Sequence, residues 1–415
     1  MLIGISNDPR PYHWGSRSEI PQILGRTPTE EPAAELWLGA HPGSPSRVLD
    51  PSAARGAADL AEYTAPDGLP FLLKILSAAQ PLSLQAHPSL EQARDGFEAE
   101  NSAGLAMDDP HRNYKDPLHK PELVVALSES FRALTGFRPI DESRRVLAAL
   151  LARGAGAPDA PDPSAFAGLI SRYTGADPIA SSVTWLLQGG DEVSTLTEAV
   201  VALAARSDDG PFAAEFRLVG ELEAHYPGDP GIVLSLLLNY VVLARGEALY
   251  LPAGNIHAYL EGTGVELMAA SDNVLRGGLT SKHVDVAELV SVLDFQPMPA
   301  PYLPALTLEP GITVFRPGLP DFQLYRVDLG ADGAQEASVR LSGPAIAITI
   351  AGEIDVLGQG HPMLLGQGRS LFATAEEAEL RFRGEGTLFL ATVGPTGDTA
   401  ETPVPAVEQK SPFAP

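Results

Sequence analysis

The densest run of chemically capable side chains is PLSLQAHPSLEQA, where Gln85 and His87 stand two residues apart. On an extended strand, residues at i and i+2 project from the same face. Imidazole is the commonest neutral ligand for zinc, and a glutamine amide offers an oxygen beside it. Pro88 then ends the strand. In NYKDPLHKPELVVAL, Glu122 opens the apolar run Leu123–Leu127, next to His119 and Lys120. In LYLPAGNIHAYLEG, His257 follows a Pro-Ala-Gly-Asn turn and starts a strand. Gln85, His87, Glu122 and His257 on neighbouring strands would make a mixed nitrogen and oxygen site. That set suits zinc or another borderline divalent metal, with a position left for water or substrate. Each residue alone has a plainer reading as a hydrogen-bonded strand or loop residue. His41 and His361 show that His-Pro also occurs here without an evident role.

Lysine usage points to the same segments. The chain has five lysines, Lys74, Lys115, Lys120, Lys282 and Lys410, against 23 arginines. A lysine offers a compact, mobile ammonium suited to a phosphate or a proton-transfer site, where arginine offers a rigid fork. Lys115 and Lys120 flank His119, Lys74 lies in the apolar run before Gln85, and Lys282 follows SDNVLRGGLTS.

The elements that must position these residues are strands. Residues 1–138 read as short strands and loops punctuated by Pro and Gly, with an exposed helix over 91–100. Pro-Phe-Leu-Leu-Lys-Ile-Leu at 70–76 fits strand or helix equally. From 139 to 240 the period changes to that of helices. In DESRRVLAALLARG, Val146, Leu147, Leu150 and Leu151 share a face, and further apolar-periodic segments follow, each closed by Gly or Pro. This is a helical insertion of about 100 residues. Strands return after Gly246, with a turn expected at Glu261–Gly264. From 301 to 395 the pattern is all-β, in short strands separated by Gly-rich turns, as in a sandwich or barrel. Residues 396–415, rich in Pro and Thr, read as a mobile tail.

Composition bounds the function. The chain has 415 residues, of which 44% are hydrophobic and 20% charged, so it can build sizeable cores. It has no Cys, which removes disulfides, thiolate ligands and a Cys nucleophile. The net charge of −25 argues against broad contact with nucleic acid or anionic membranes. A small anion held in a local basic pocket stays compatible with it. Neither a signal-peptide pattern nor an apolar run of membrane-spanning length appears, so a cytoplasmic location is expected.

Taken together the motifs are recognisable. YHWGS at 12–16, AELWLGAHP at 34–42, LPFLLKILSAAQPLSLQAHPS at 69–89, NYKDPLHKPELVVAL at 113–127, GEALYLPAGNIHAYLEGTGVELMAASDNVLRGGLTSKHVDV at 246–286 and LVSVLDF at 289–295 resemble the type I mannose-6-phosphate isomerase (phosphomannose isomerase) family. Ala86 stands where that family more often has Val, and Leu118 where Asn is common. The resemblance implies a mainly β fold of cupin-type jelly-roll barrels plus a helical domain. The catalytic barrel would comprise 1–138 and 241–300, with a cupin-like domain at 301–395. It implies one zinc ion per chain held by Gln85, His87, Glu122 and His257, with Arg276 as the catalytic arginine. It also implies a sugar-phosphate pocket of Lys74, Ser83, Lys120, Tyr259, Glu266 and Lys282. Glu266 and Lys120 are the candidates for the base. A monomer is expected, without excluding an oligomer. Two other readings are another metal-dependent cupin enzyme, such as an oxygenase, and a non-catalytic sugar-phosphate sensor. Gln85 and the lysines argue against the first, and the complete set of implied residues against the second.

Overall fold

The structure, a computed structural model, describes residues 1–206, 209–330 and 334–395. The tail expected to be mobile and Lys410 lie outside the described residues. Among the described residues the strands form two antiparallel sheets, of nine and ten strands, with a helical segment inserted between strands of the first.

The nine-stranded sheet is organised by one long strand, His257–Ala269. Its second half pairs on one side with Phe71–Ala78 and on the other with Glu122–Ala126. Its first half pairs with Gln85–Ala86 and with Phe131–Phe137. The turn expected at Glu261–Gly264 is instead a bend within this strand, with a register shift between Tyr259 and Glu261. Gly262 makes the bend possible. Its φ is +127°, and a Cβ there would meet the Phe131 Cα at 2.8 Å. The ambiguous run at 70–76 lies in the fully buried strand Phe71–Ala78.

Alternation then sorts the side chains. Leu73 and Ile75, Leu123 and Val125, and Val265 and Leu267 point into a core shared with Ile346, Ile348, Phe372 and Phe389 of the other sheet. Lys74, Glu122 and Glu266 therefore share the opposite face. Because the period is two, a one-residue slip would drive these charges into the apolar core, which pins the register.

The helical segment contains Ile140–Ala152, Ala167–Tyr173, Pro178–Gln188, Asp191–Ala204, Ala213–His225 and the short Gly231–Ser235. Its apolar faces pack on Leu84, Ala86, Leu134, Ala258 and Leu260 of the sheet. The change back to strand comes at Leu238, slightly ahead of the expected 241. In the ten-stranded sheet, Ala345–Leu357 and Glu379–Thr392 pair along most of their length. Where short strands separated by a Gly-rich turn were expected, Glu379–Thr392 is one strand through Gly384 and Gly386. A Cβ at Gly384 would meet the Glu353 carbonyl oxygen at 2.4 Å, so only glycine allows the two strands so close. Leu2–Ser6 leaves the N-terminal region to pair with Ser370–Ala373 of this sheet. No helix among the described residues is long and apolar enough to cross a membrane.

Candidate active site

Two rows of directly opposed residues build the site. In one, Arg276 faces Gln85 and Gln85 faces His257. In the other, Trp37 faces Lys74 and Lys74 faces Glu266. Glu122 lies on the strand beyond, opposite Met268. The rows border a cavity of about 380 Å³ lined by nine of the eleven expected residues: Lys74, Ser83, Gln85, Lys120, Glu122, Tyr259, Glu266, Arg276 and Lys282. The other two, His87 and His257, are buried beside Glu122.

The ligand atoms of His87, Glu122 and His257 lie within 4.8 Å of one another. His87 Nε2 is 3.3 Å from Glu122 Oε1, and His257 Nε2 is 3.4 Å from Glu122 Oε2. Each imidazole donates its Nδ1–H to a backbone carbonyl, His87 to Asn273 at 2.7 Å and His257 to Asn255 at 3.0 Å. A carbonyl only accepts, so each ring carries a proton on Nδ1, and Nε2 is the nitrogen left to offer a lone pair to a ligand. Burial pushes His87 down to about 4, against the opposing pull of Glu122, so its ring is neutral near pH 7. Burial alone would raise Glu122; Lys120 and His87 overcome it and hold the carboxyl well below its ordinary value. His87 Nε2 and Glu122 Oε2 are buried without a hydrogen-bonding partner. Lone pairs aimed at an ionised carboxylate, with no donor between them, fit a divalent cation and little else. Gln85 lies beside the cluster: its amide nitrogen is 3.3 Å from His257 Nε2, and turning the amide would put its oxygen there.

The opposite wall is a buried ion network. Lys74 Nζ is 3.1 Å from Glu266 Oε2 and 3.7 Å from Glu35 Oε1. Burial works against the Lys74 charge, but Glu266, Glu35 and Glu122 raise its pKa above the ordinary lysine value. Glu266 is raised, first by burial, with Lys74 opposing and Glu122 and Glu35 adding to the rise. Lys120 Nζ is 3.2 Å from Glu122 Oε1. Tyr259 is raised well above its ordinary value by burial and by Glu266 and Glu122, so its phenol stays protonated.

At the third wall, Arg276 and Lys282 have no carboxylate within ion-pair distance among the described residues. Burial lowers Arg276, and the Arg276 charge followed by burial lowers Lys282. Two uncompensated cations on the wall of a strongly acidic protein select an anion.

The structure adds residues that motif reading passed over. Trp14 and Trp37 line the cavity. Trp37 donates to Glu35 Oε2 at 2.8 Å and lies under Lys74 Nζ at 5.1 Å. Glu35 and Trp37 are two apart on a strand, the same signal that singled out Gln85 and His87. His41 pairs with Asp272, which lines the cavity. Tyr226 comes from the helical insertion and donates to the Pro81 carbonyl at 2.7 Å. Lys115 is turned away from this work and binds the carbonyls of Met107 and Asp109.

Comparison with known proteins agrees with this geometry. Residues 2–140 match the family described as phosphomannose isomerase type I, catalytic domain. The mannose-6-phosphate isomerase of Salmonella typhimurium is 37% identical over 396 residues, covering 92% of this chain and 97% of that protein. The chain belongs to the type I phosphomannose isomerase family. Its human relative, also a mannose-6-phosphate isomerase, is 29% identical over 408 residues, covering 88% of this chain and 92% of that protein. A crystal structure of zinc-bound mannose 6-phosphate isomerase superposes with a TM-score of 0.81 at 33% identity, covering 95% of this chain and all of that one. A phosphomannose isomerase with zinc and yttrium bound superposes equally well, with a TM-score of 0.81. Similarity thus extends through the helical insertion and the C-terminal sheet, beyond the motif-bearing segments.

Proposed function

We propose that this chain is a mannose-6-phosphate isomerase that interconverts mannose 6-phosphate and fructose 6-phosphate. The observation that carries it is the meeting, at one cavity, of a buried His-Glu-His cluster that reaches it through Glu122 and of Arg276 and Lys282, which have no carboxylate partner among the described residues. His87, Glu122, His257 and the Gln85 oxygen would hold zinc. When bound, zinc supplies a Lewis acid that polarises the sugar oxygens.

The chain's own residues account for the rest. Lys282, with Ser83 as a hydroxyl donor, binds the phosphate of the substrate. Arg276 stays protonated and stabilises the negative charge that develops on oxygen as the C2 proton leaves. Glu266 removes that proton and returns it to C1 through a cis-enediol. Its raised pKa, set by burial among carboxylates, supports work as a base near neutral pH. Lys120 and Lys74 keep the carboxylates of the site compatible at close range, and Lys120 is the second candidate for proton transfer. The Tyr259 hydroxyl donates to a sugar oxygen.

In this reading the two sheets are cupin-type jelly-roll barrels, which the long bent strands support. The catalytic unit carries residues 139–237 as a helical insertion, and 301–395 form the second β unit. The protein acts as a monomer in the cytoplasm. The test is conversion of mannose 6-phosphate to fructose 6-phosphate by purified protein as isolated, after chelation, and after zinc is restored. Activity that falls and returns supports the reaction and the metal together. Inactivity in protein containing stoichiometric zinc rejects the isomerase.

A further inference from the structure

We infer that Asn273 is a positioning residue that fixes Lys120 relative to the His87 imidazole. This rests on the isomerase reading of the site. Asn273 is fully buried and touches no part of the cavity, yet it grips both sides of the reacting region. Its carbonyl oxygen accepts the His87 Nδ1–H at 2.7 Å. Its side chain clasps the loop that leads to Lys120. Oδ1 accepts the backbone N–H of Lys115 at 2.7 Å and of Asp116 at 3.3 Å. Nδ2 donates to the carbonyls of Asp116 at 2.7 Å and Leu118 at 2.9 Å. Ser271 Oγ adds a bond to the Leu118 carbonyl at 3.2 Å and accepts the Asn273 N–H at 3.2 Å. Asp116 closes the clasp by accepting the Asp272 N–H at 2.8 Å.

The geometry explains why a clasp is needed. Glu122 is held from both sides by strand pairing, but Lys120 precedes that strand and is followed by Pro121, which has no N–H. Downstream, Ala269 N–H fixes the Pro121 carbonyl at 3.1 Å. Upstream, the last anchor of the clasp is the Leu118 carbonyl, two residues before Lys120. An amide side chain serves here because it matches two backbone donors with an oxygen and two backbone acceptors with an NH₂. One residue thereby sets the spacing between an imidazole of the metal cluster and the Lys120 ammonium beside it.

The test is Asn273→Asp, which keeps size and the accepting oxygen but turns a second oxygen onto the Asp116 and Leu118 carbonyls. We expect kcat to fall at least about tenfold, with KM within about twofold and zinc content unchanged. The decisive measurement is a double-mutant cycle with Lys120→Ala. A residue that acts through Lys120 loses nothing further when Lys120 is already absent. An equal loss in both backgrounds, or no loss in either, overturns the inference. If N273D does not fold, Ser271→Ala carries the same cycle with an expected loss of roughly threefold, because it removes only the weaker Leu118 anchor. Wild-type protein assayed with zinc separates the two failures. An inactive wild type rejects the isomerase reading, whereas a fully active N273D beside an active wild type rejects only the role of Asn273.

Discussion

Replacing Lys74 with Met should shift the acid limb of activity upward. Lys74 sits directly opposite Glu266, buried, with its ammonium 3.1 Å from Oε2. It is the strongest influence opposing the rise in the Glu266 pKa, while Glu122 and Glu35 push the other way. At an effective dielectric of about 20, a unit charge at that distance is worth up to about 5 kcal/mol, or about 4 pKa units as an upper bound. Water entry and rearrangement absorb much of that, and we expect a shift of at least about one unit. Glu266 must be deprotonated to act as a base, so the acid limb of kcat/KM should move to higher pH by that amount. The assay is kcat/KM from pH 5 to 9 for both proteins, with zinc content measured in each. Ionisation of the substrate phosphate is common to both and cancels in the comparison. Stability should follow the same sign. A carboxyl whose folded pKa lies above its unfolded value favours folding below the unfolded value, and that gain is lost as pH rises through the folded pKa. The thermal deficit of K74M relative to wild type should therefore grow as pH rises from 5 toward 8. Superimposable pH profiles in a folded, zinc-loaded K74M would refute the coupling of Lys74 to the base.

Glu266→Gln, which keeps the shape of the side chain but not its basicity, should lower kcat by about 10²-fold or more with zinc retained. Near-normal turnover in zinc-loaded E266Q would move the base to Lys120. In metal-free protein, His87 should make the fold acid-sensitive. Its pKa is lowered from 6.5 to about 4 by burial, so the unfolded chain binds a proton first as pH falls. About 3 kcal/mol of stability should be lost between pH 6.5 and 4, read by urea unfolding of chelated protein. An unchanged pH slope in metal-free His87→Gln would reject that source.

The parts of the site legible in the sequence are those carried by period-two spacing at the start of a strand. Glu122 and His257 are each the first residue of a strand, and Gln85 and His87 bracket a two-residue one. Rarity did similar work for the lysines, since Lys74, Lys120 and Lys282 all reach the cavity. What the sequence hid depends on long-range pairing. Gly262 and Gly384 look like turn glycines, but each permits close approach within a long strand, and the partner that demands it is remote in sequence. The His41–Asp272 pair spans 231 positions and has no local pattern. Asn273 reads as a polar loop residue, because the groups it satisfies are backbone atoms about 155 residues away.

The pairing of Leu2–Ser6 with the C-terminal sheet has a consequence for how the molecule is made. Ser370, which donates to the Ile5 carbonyl, is synthesised 365 residues after it. At ordinary synthesis rates that is a wait of roughly 20 to 70 seconds. During it the first strand can pair only with Arg47–Val48, and the back of the nine-stranded sheet lacks Ile346, Ile348, Phe372 and Phe389. The nascent chain thus carries a partly covered apolar sheet face until residues 345–392 are made. Final assembly of the second sheet therefore waits on the segment from Ala345 to Thr392.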